Sequence, residues 1–268
     1  PYAAPAMFER MLASTRYSSA NRMPEFMRTH PLSEKRIADT RNRARQYPKR
    51  IRPVSLDYQL MRARVAVSLA DTPEEAVAQF KGELEGNPRS REAAIYGLVL
   101  ALTKAGRPDE AALTLDGIWS DREQRIEYIL ADAEISLAQG KPELTAKKLQ
   151  TRLQLSPGNH PLTMSYAHAL QQSQQSHLAE EVLIDQSRLK PSDPGLWYLL
   201  AEVQGLSGNI IGLHQSRAEY FILVGNLDAA QRQLAYALKL VGDDFTVSAQ
   251  INERIGQIID MRTDLDRG

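Results

Sequence analysis

Cysteine is absent from the 268 residues. That excludes disulfides, thiolate–zinc sites and cysteine nucleophiles, and it suits cytoplasm and periplasm equally. Long apolar runs are missing too. The longest, Ala93 to Leu102 with Ile95 to Leu102 as its core, is ten residues with Gly97 inside it, far short of the roughly 20 that span a bilayer. Only five histidines occur, at 30, 160, 168, 177 and 214. No two are spaced i,i+4, so no helix offers a pair of imidazoles to a metal on one face. H-E-x-x-H, a P-loop, G-x-S-x-G and a dinucleotide fingerprint are all lacking. The chain begins at Pro1 with no basic stretch and apolar signal core ahead of it. The expectation is a piece of a longer protein whose targeting signal lies elsewhere.

What is present is ordinary for a packed protein: 43% hydrophobic and 25% charged residues. The net charge of zero conceals an asymmetry. Residues 1–53 carry 12 Lys/Arg against 4 Asp/Glu, and the remainder 21 against 29. The basic runs Arg41, Arg43, Arg45 and Lys49, Arg50, Arg52 contain few aromatics. They read as a solvated face or a domain contact rather than a nucleic-acid site.

The strongest signal is a tandem period. Pro157 and Pro191 stand 34 residues apart, each in a helix-breaking stretch. Repeats begun near 57, 92, 126, 160 and 194 bring other landmarks into register. Small residues recur where paired helices approach, at Ala133, Ala167 and Ala201 and at Ala76, Ala111, Thr145 and Ala179. Larger ones follow four positions after the second set, at Phe80, Leu115, Leu149 and Leu183. Arg64 breaks the small-residue pattern of the first copy. Gly106, Gly140 and Gly208 fall at first-helix ends. The pattern resembles tetratricopeptide repeats and implies an all-α, right-handed superhelical solenoid. After Trp197 the spacing halves, so a helix near 210–223 is shared between pairs. Ile251, Ile255, Ile258 and Leu265 then mark an amphipathic capping C-terminal helix.

In such an array, positions 2, 5, 9, 12 and 13 of each first helix line the concave face. The protein-binding candidates there are Tyr58, Met61, Tyr96, Leu100, Lys104, Met164, His168 and Tyr198. Tyrosine and methionine are adaptable contacts for polypeptide. Met61 and Val65 occupy the places where a carboxylate clamp needs Lys and Asn, which disfavours chaperone-tail binding.

Residues 1–52 lie outside the period and 53–268 within it. The stretch Tyr47-Pro48-Lys49-Arg50-Ile51-Arg52-Pro53 breaks the chain between them. The segment Thr29-His30-Pro31 through Arg36-Ile37 resembles the T-H-P-x-x-x-x-R-I motif of HtpX/Oma-type zinc metalloproteases. Pro5 to Leu12 is similar to the last helices of their catalytic domain. A protease end joined to these repeats resembles the BepA-type β-barrel assembly-enhancing proteases of the Gram-negative periplasm. The resemblance implies a protein-binding repeat module whose parent carries zinc and takes polypeptide clients, with β-barrel outer-membrane proteins among them. The fragment itself is expected to have no cofactor and no protease activity, since H-E-x-x-H is absent. His30 and Arg36 would lie near the parent's zinc cleft, with His30 a candidate metal ligand there. The other reading is a free-standing scaffold for a protein complex with no protease partner. No nucleic acid and no membrane span are expected.

Overall fold

The computed structural model describes residues 2–15, 34–48, 55–86, 88–119 and 125–267. It divides into two compact units, Pro1–Ser55 and Leu56–Gly268. Among the described residues every regular element is a helix.

The first unit contains α1 (Ala3–Thr15) and α2 (Glu34–Arg45), packed on each other. Ile37 and Ala44 face inward. The Arg36 guanidinium lies 5.7 Å from the Phe8 ring centre, and Arg41 pairs with Glu9 at 2.6 Å. The Tyr2 hydroxyl donates to the Tyr47 carbonyl across 3.1 Å.

The second unit is a solenoid of antiparallel helices. First helices are α3 (Leu56–Leu69), α5 (Arg91–Lys104), α7 (Ile126–Ala138), α9 (His160–Gln172) and α11 (Pro194–Ser207). Between them run α4 (Pro73–Glu85), α6 (Pro108–Trp119), α8 (Pro142–Leu155) and α10 (Ser176–Leu189). The end is built from α12 (Ile210–Leu223), α13 (Leu227–Leu240) and α14 (Phe245–Arg267). The first helices start within a residue of the expected repeat starts. α12 packs on both α11 and α13, as the halved spacing implies.

Local chemistry sets these boundaries. Thr72, Ser90, Asn159, Asn209 and Asn226 each accept a backbone N–H of the following turn, satisfying a donor the helix leaves open. Pro73, Pro142 and Pro194 sit at helix starts, where the missing N–H costs nothing. Gly106, Gly140 and Gly208 end first helices at φ of 72°, 72° and 84°. The fourth copy has Gln174 at the equivalent place, held at φ 61°, the one non-glycine residue with positive φ among those described.

The predicted small-to-large alternation is the packing. Val99, Ala133, Ala167 and Ala201 are buried, as are Ala76, Ala111, Thr145 and Ala179. Phe80, Leu115, Leu149 and Leu183 fill the spaces opposite and are no more than 3% exposed. Each such side chain contributes about 1.5–3 kcal/mol by leaving water. The last core is closed by Ile251 and Ile258 of α14, and Arg254 grips Glu219 through two nitrogens. The Leu265 side chain lies outside the described residues.

Candidate binding groove

The first helices α3, α7 and α9 together enclose an open groove of about 600 Å3. Met61 comes from α3, Leu130 and Leu137 from α7, and Met164 and His168 from α9. Glu127 and Glu134 stand along it. Its lining mixes apolar side chains with two carboxylates, which suits a chain that alternates the two characters.

Arg64 sets the groove's geometry. One guanidinium nitrogen donates to Glu134 at 2.7 Å, and two others donate to the Tyr96 hydroxyl at 3.0 and 2.8 Å. Burial would lower the Arg64 pKa, but the Glu134 carboxylate and Tyr96 oxygen outweigh it and hold it above the usual value. Burial likewise raises the Tyr96 phenol, against the pull of Arg64. The Tyr96 ring leans on Tyr128 with centroids 5.9 Å apart, and the Tyr128 hydroxyl donates to Glu92. A second bridge joins the same outer helices: Arg125 at the start of α7 pairs with Asp57 of α3 at 2.6 Å.

This arrangement separates the eight predicted contact residues. Tyr58, Met61, Lys104, His168 and Tyr198 are exposed and Met164 is half-buried. Met61, Met164 and His168 converge on the groove. Tyr198 borders a different recess, with Glu202 and Tyr220. Lys104 donates to the Val67 carbonyl at 3.3 Å.

Two of the eight need correcting. Tyr96 is 0% exposed and Leu100 5%, so both belong to the core and offer no surface to a ligand. Leu100 packs into the first core cluster, and for Tyr96 the physical reason is Arg64. A long side chain stands where the other copies have a small residue, lies over α5 and seals Tyr96 beneath it. The eight also left out Leu137 and Pro161, which hold positions 12 and 2 of their helices, and Ile126, which the numbering does not cover; all three line the groove wall. Their signal was available, since each is apolar on or beside a predicted first helix.

His30, the candidate metal ligand, lies outside the described residues. Arg36 is exposed on α2. Among the described residues no group of three His, Cys, Asp or Glu side chains could hold a metal ion. Among the described residues no helix is long and apolar enough to cross a membrane.

No family model matches the chain. Among curated proteins, it is 31% identical over 259 residues to the beta-barrel assembly-enhancing protease of Escherichia coli strain K12, covering 96% of this chain and 53% of that protein. The Yersinia pestis protein of that name is 28% identical, with the same coverage. A putative counterpart in Vibrio cholerae is also 28% identical, covering 97% of this chain and 54% of its own length. Among solved structures, a thermophilic TPR protein of Thermus thermophilus superposes with a TM-score of 0.46. It is 18% identical and covers 74% of this chain and 98% of its own. MamA of Desulfovibrio magneticus gives 0.45 at 16% identity, covering 64% and 97%. The chain spans about half the length of the curated relatives it matches. Over nearly its whole length the chain is similar to the beta-barrel assembly-enhancing proteases.

Proposed function

We propose that this chain is the polypeptide-binding module of a periplasmic zinc metalloprotease that acts in β-barrel outer-membrane protein assembly and quality control. The observation that carries the reading is the groove. Met61, Met164, Leu130 and Leu137 give it apolar lining, with the carboxylates of Glu127 and Glu134 among them. Methionines let one floor accept many side-chain shapes, a property suited to clients that are not yet folded. Relatives over nearly the whole chain carry the name of a protease that enhances β-barrel assembly, which supports β-barrel polypeptides as the client class.

In this reading residues 1–52 end the protease domain and 53–268 form the binding arm. The arm holds an extended or partly folded chain and presents it to the neighbouring active site. The zinc would be held and used by the parent's remaining sequence, outside the groove residues.

The test is site-specific photocrosslinking in the intact protease, with a purified unfolded β-barrel polypeptide as client. A photoreactive residue at Met164 or His168 should capture the client, and one at Lys147, exposed on α8 away from the groove, should not. Met61→Asp with Met164→Asp should reduce capture while helical content stays native. Equal capture from Lys147, or none from the groove, would overturn the reading and favour a scaffold without a protease role.

A further inference from the structure

A second, smaller recess, of about 200 Å3, opens between α11, α12 and α13. Its walls are Tyr198 and Glu202 of α11, Arg217, Tyr220 and Phe221 of α12, and Gln233 of α13. The rings stand against one another. Tyr198 and Tyr220 have centroids 5.6 Å apart at 64°, and Tyr220 and Phe221 are 5.4 Å apart. Tyr198 is 53% exposed, so this aromatic wall does more than fill a core.

The charges around it are unevenly spent. Glu202 stands close enough to Tyr198 for its carboxylate to raise that phenol's pKa. On the neighbouring α14, Arg254 and Arg262 each hold a carboxylate. Arg217 is exposed and, among the described residues, makes no hydrogen bond or ion pair. An unpaired guanidinium beside an aromatic wall matches a carboxylate, which it can grip with two parallel N–H groups. Gln233 adds a donor. Its oxygen takes the His214 imidazole at 2.7 Å, leaving its amide N–H groups for a ligand.

We propose that this recess receives the C-terminal residue of a polypeptide, with an aromatic side chain against Tyr198, Tyr220 and Phe221 and its α-carboxylate on Arg217. One residue supplies both groups only at a chain end. An internal Phe or Tyr has no carboxylate, and an internal Asp or Glu has no ring. The recess is a third of the groove's volume, the scale of one residue rather than a segment. Glu202 is the acceptor for that residue's main-chain N–H. The proposal rests on the reading of these repeats as a polypeptide binder, but it does not need the Met61–Met164 groove.

Fluorescence anisotropy on the 268-residue chain tests it with three short labelled peptides. One ends in Phe with a free carboxylate; the second is the same peptide as its C-terminal amide. The third is amidated and carries Phe-Glu in its interior. The free acid should bind at least about 10-fold tighter than either of the others, the scale of one charge-assisted pair. Arg217→Gln should bring the acid down to the amide's affinity with an unchanged circular dichroism spectrum, and Arg217→Lys should restore part of the preference. Acid and amide binding alike, or a preference that survives Arg217→Gln, would overturn the proposal. So would tight binding of the interior Phe-Glu peptide. Met164→Asp separates the two sites: it should weaken groove binding of all three peptides and leave the acid-to-amide ratio intact. If that variant changes nothing while the Arg217 effect persists, the groove reading fails and the chain-end site stands.

Discussion

Gly97 lies in the middle of α5 with the Phe80 ring of α4 laid over it. A Cβ built there would come 2.3 Å from Cε1 of that ring, 2.4 Å from Cζ and 2.7 Å from Cδ1. Carbon atoms rest about 3.5–4.0 Å apart, so the Gly97→Ala methyl overlaps the ring by roughly 1 Å or more. Phe80 is 1% exposed, and its flat side chain has no flexible end to bend away. Relief must come from tilting the ring into its neighbours or moving α4 off α5. Such overpacking costs about 1–3 kcal/mol, and more where the ring is displaced outright. Against this, alanine in a helix interior gains up to about 1 kcal/mol over glycine. The clash wins. Gly97→Ala should lower stability by about 1–2 kcal/mol, a fall of several degrees in Tm for a chain of this length. Gly117→Ala on α6 supplies the control, since nothing lies within 4 Å of its Cβ, and it should gain about 0.5–1 kcal/mol. Thermal and urea melts followed by circular dichroism read both. Phe80→Leu in the Gly97→Ala background should cost much less than the sum of the single changes. A Gly97→Ala chain as stable as wild type, or strictly additive costs in the double variant, would refute the reasoning.

Two further outcomes follow from single residues. Gln174→Gly should raise stability by about 1 kcal/mol in the same melts, because it removes a side chain from a left-handed backbone that three other copies assign to glycine, at 106, 140 and 208; no gain would mean Gln174 makes compensating contacts. Asp193 caps α11 through the Gly195 and Leu196 N–H groups and meets His160 at 2.5 Å. Burial alone would raise its pKa, but the His160 and backbone hydrogen bonds outweigh it and hold the carboxyl below its ordinary value. A carboxylate depressed on folding contributes stability above its unfolded pKa, about 3.9, and loses it as pH falls through the folded value. Wild type should therefore be more stable than Asp193→Asn at about pH 5–6, with the gap closing below about pH 4. A gap constant with pH would assign the effect to packing.

The repeat frame was legible because it is written in local chemistry. Prolines at 157 and 191, glycines at 106, 140 and 208 and the alanine positions each act within a few residues of themselves, and the helices start where those signals place them. The binding surface was only half legible. A position number assigns a side chain to the concave face, but it cannot see what lies on top. Tyr96 holds a groove position and is buried because Arg64, 32 residues earlier, covers it. Arg217 and Tyr220 escaped for the opposite reason. They sit on α12, where the halved period leaves no first-helix rule to apply, and only the folded end brings them beside Tyr198.

The bridges from Arg64 to Glu134 and from Arg125 to Asp57 have a mechanical consequence. A solenoid whose coils touch only their neighbours stretches like a spring, each gap opening independently. Here two struts clamp the first coil to the third across the second. The first three coils should therefore resist opening, the groove mouth there is set by the reach of an arginine, and bending is left to the coils beyond α7.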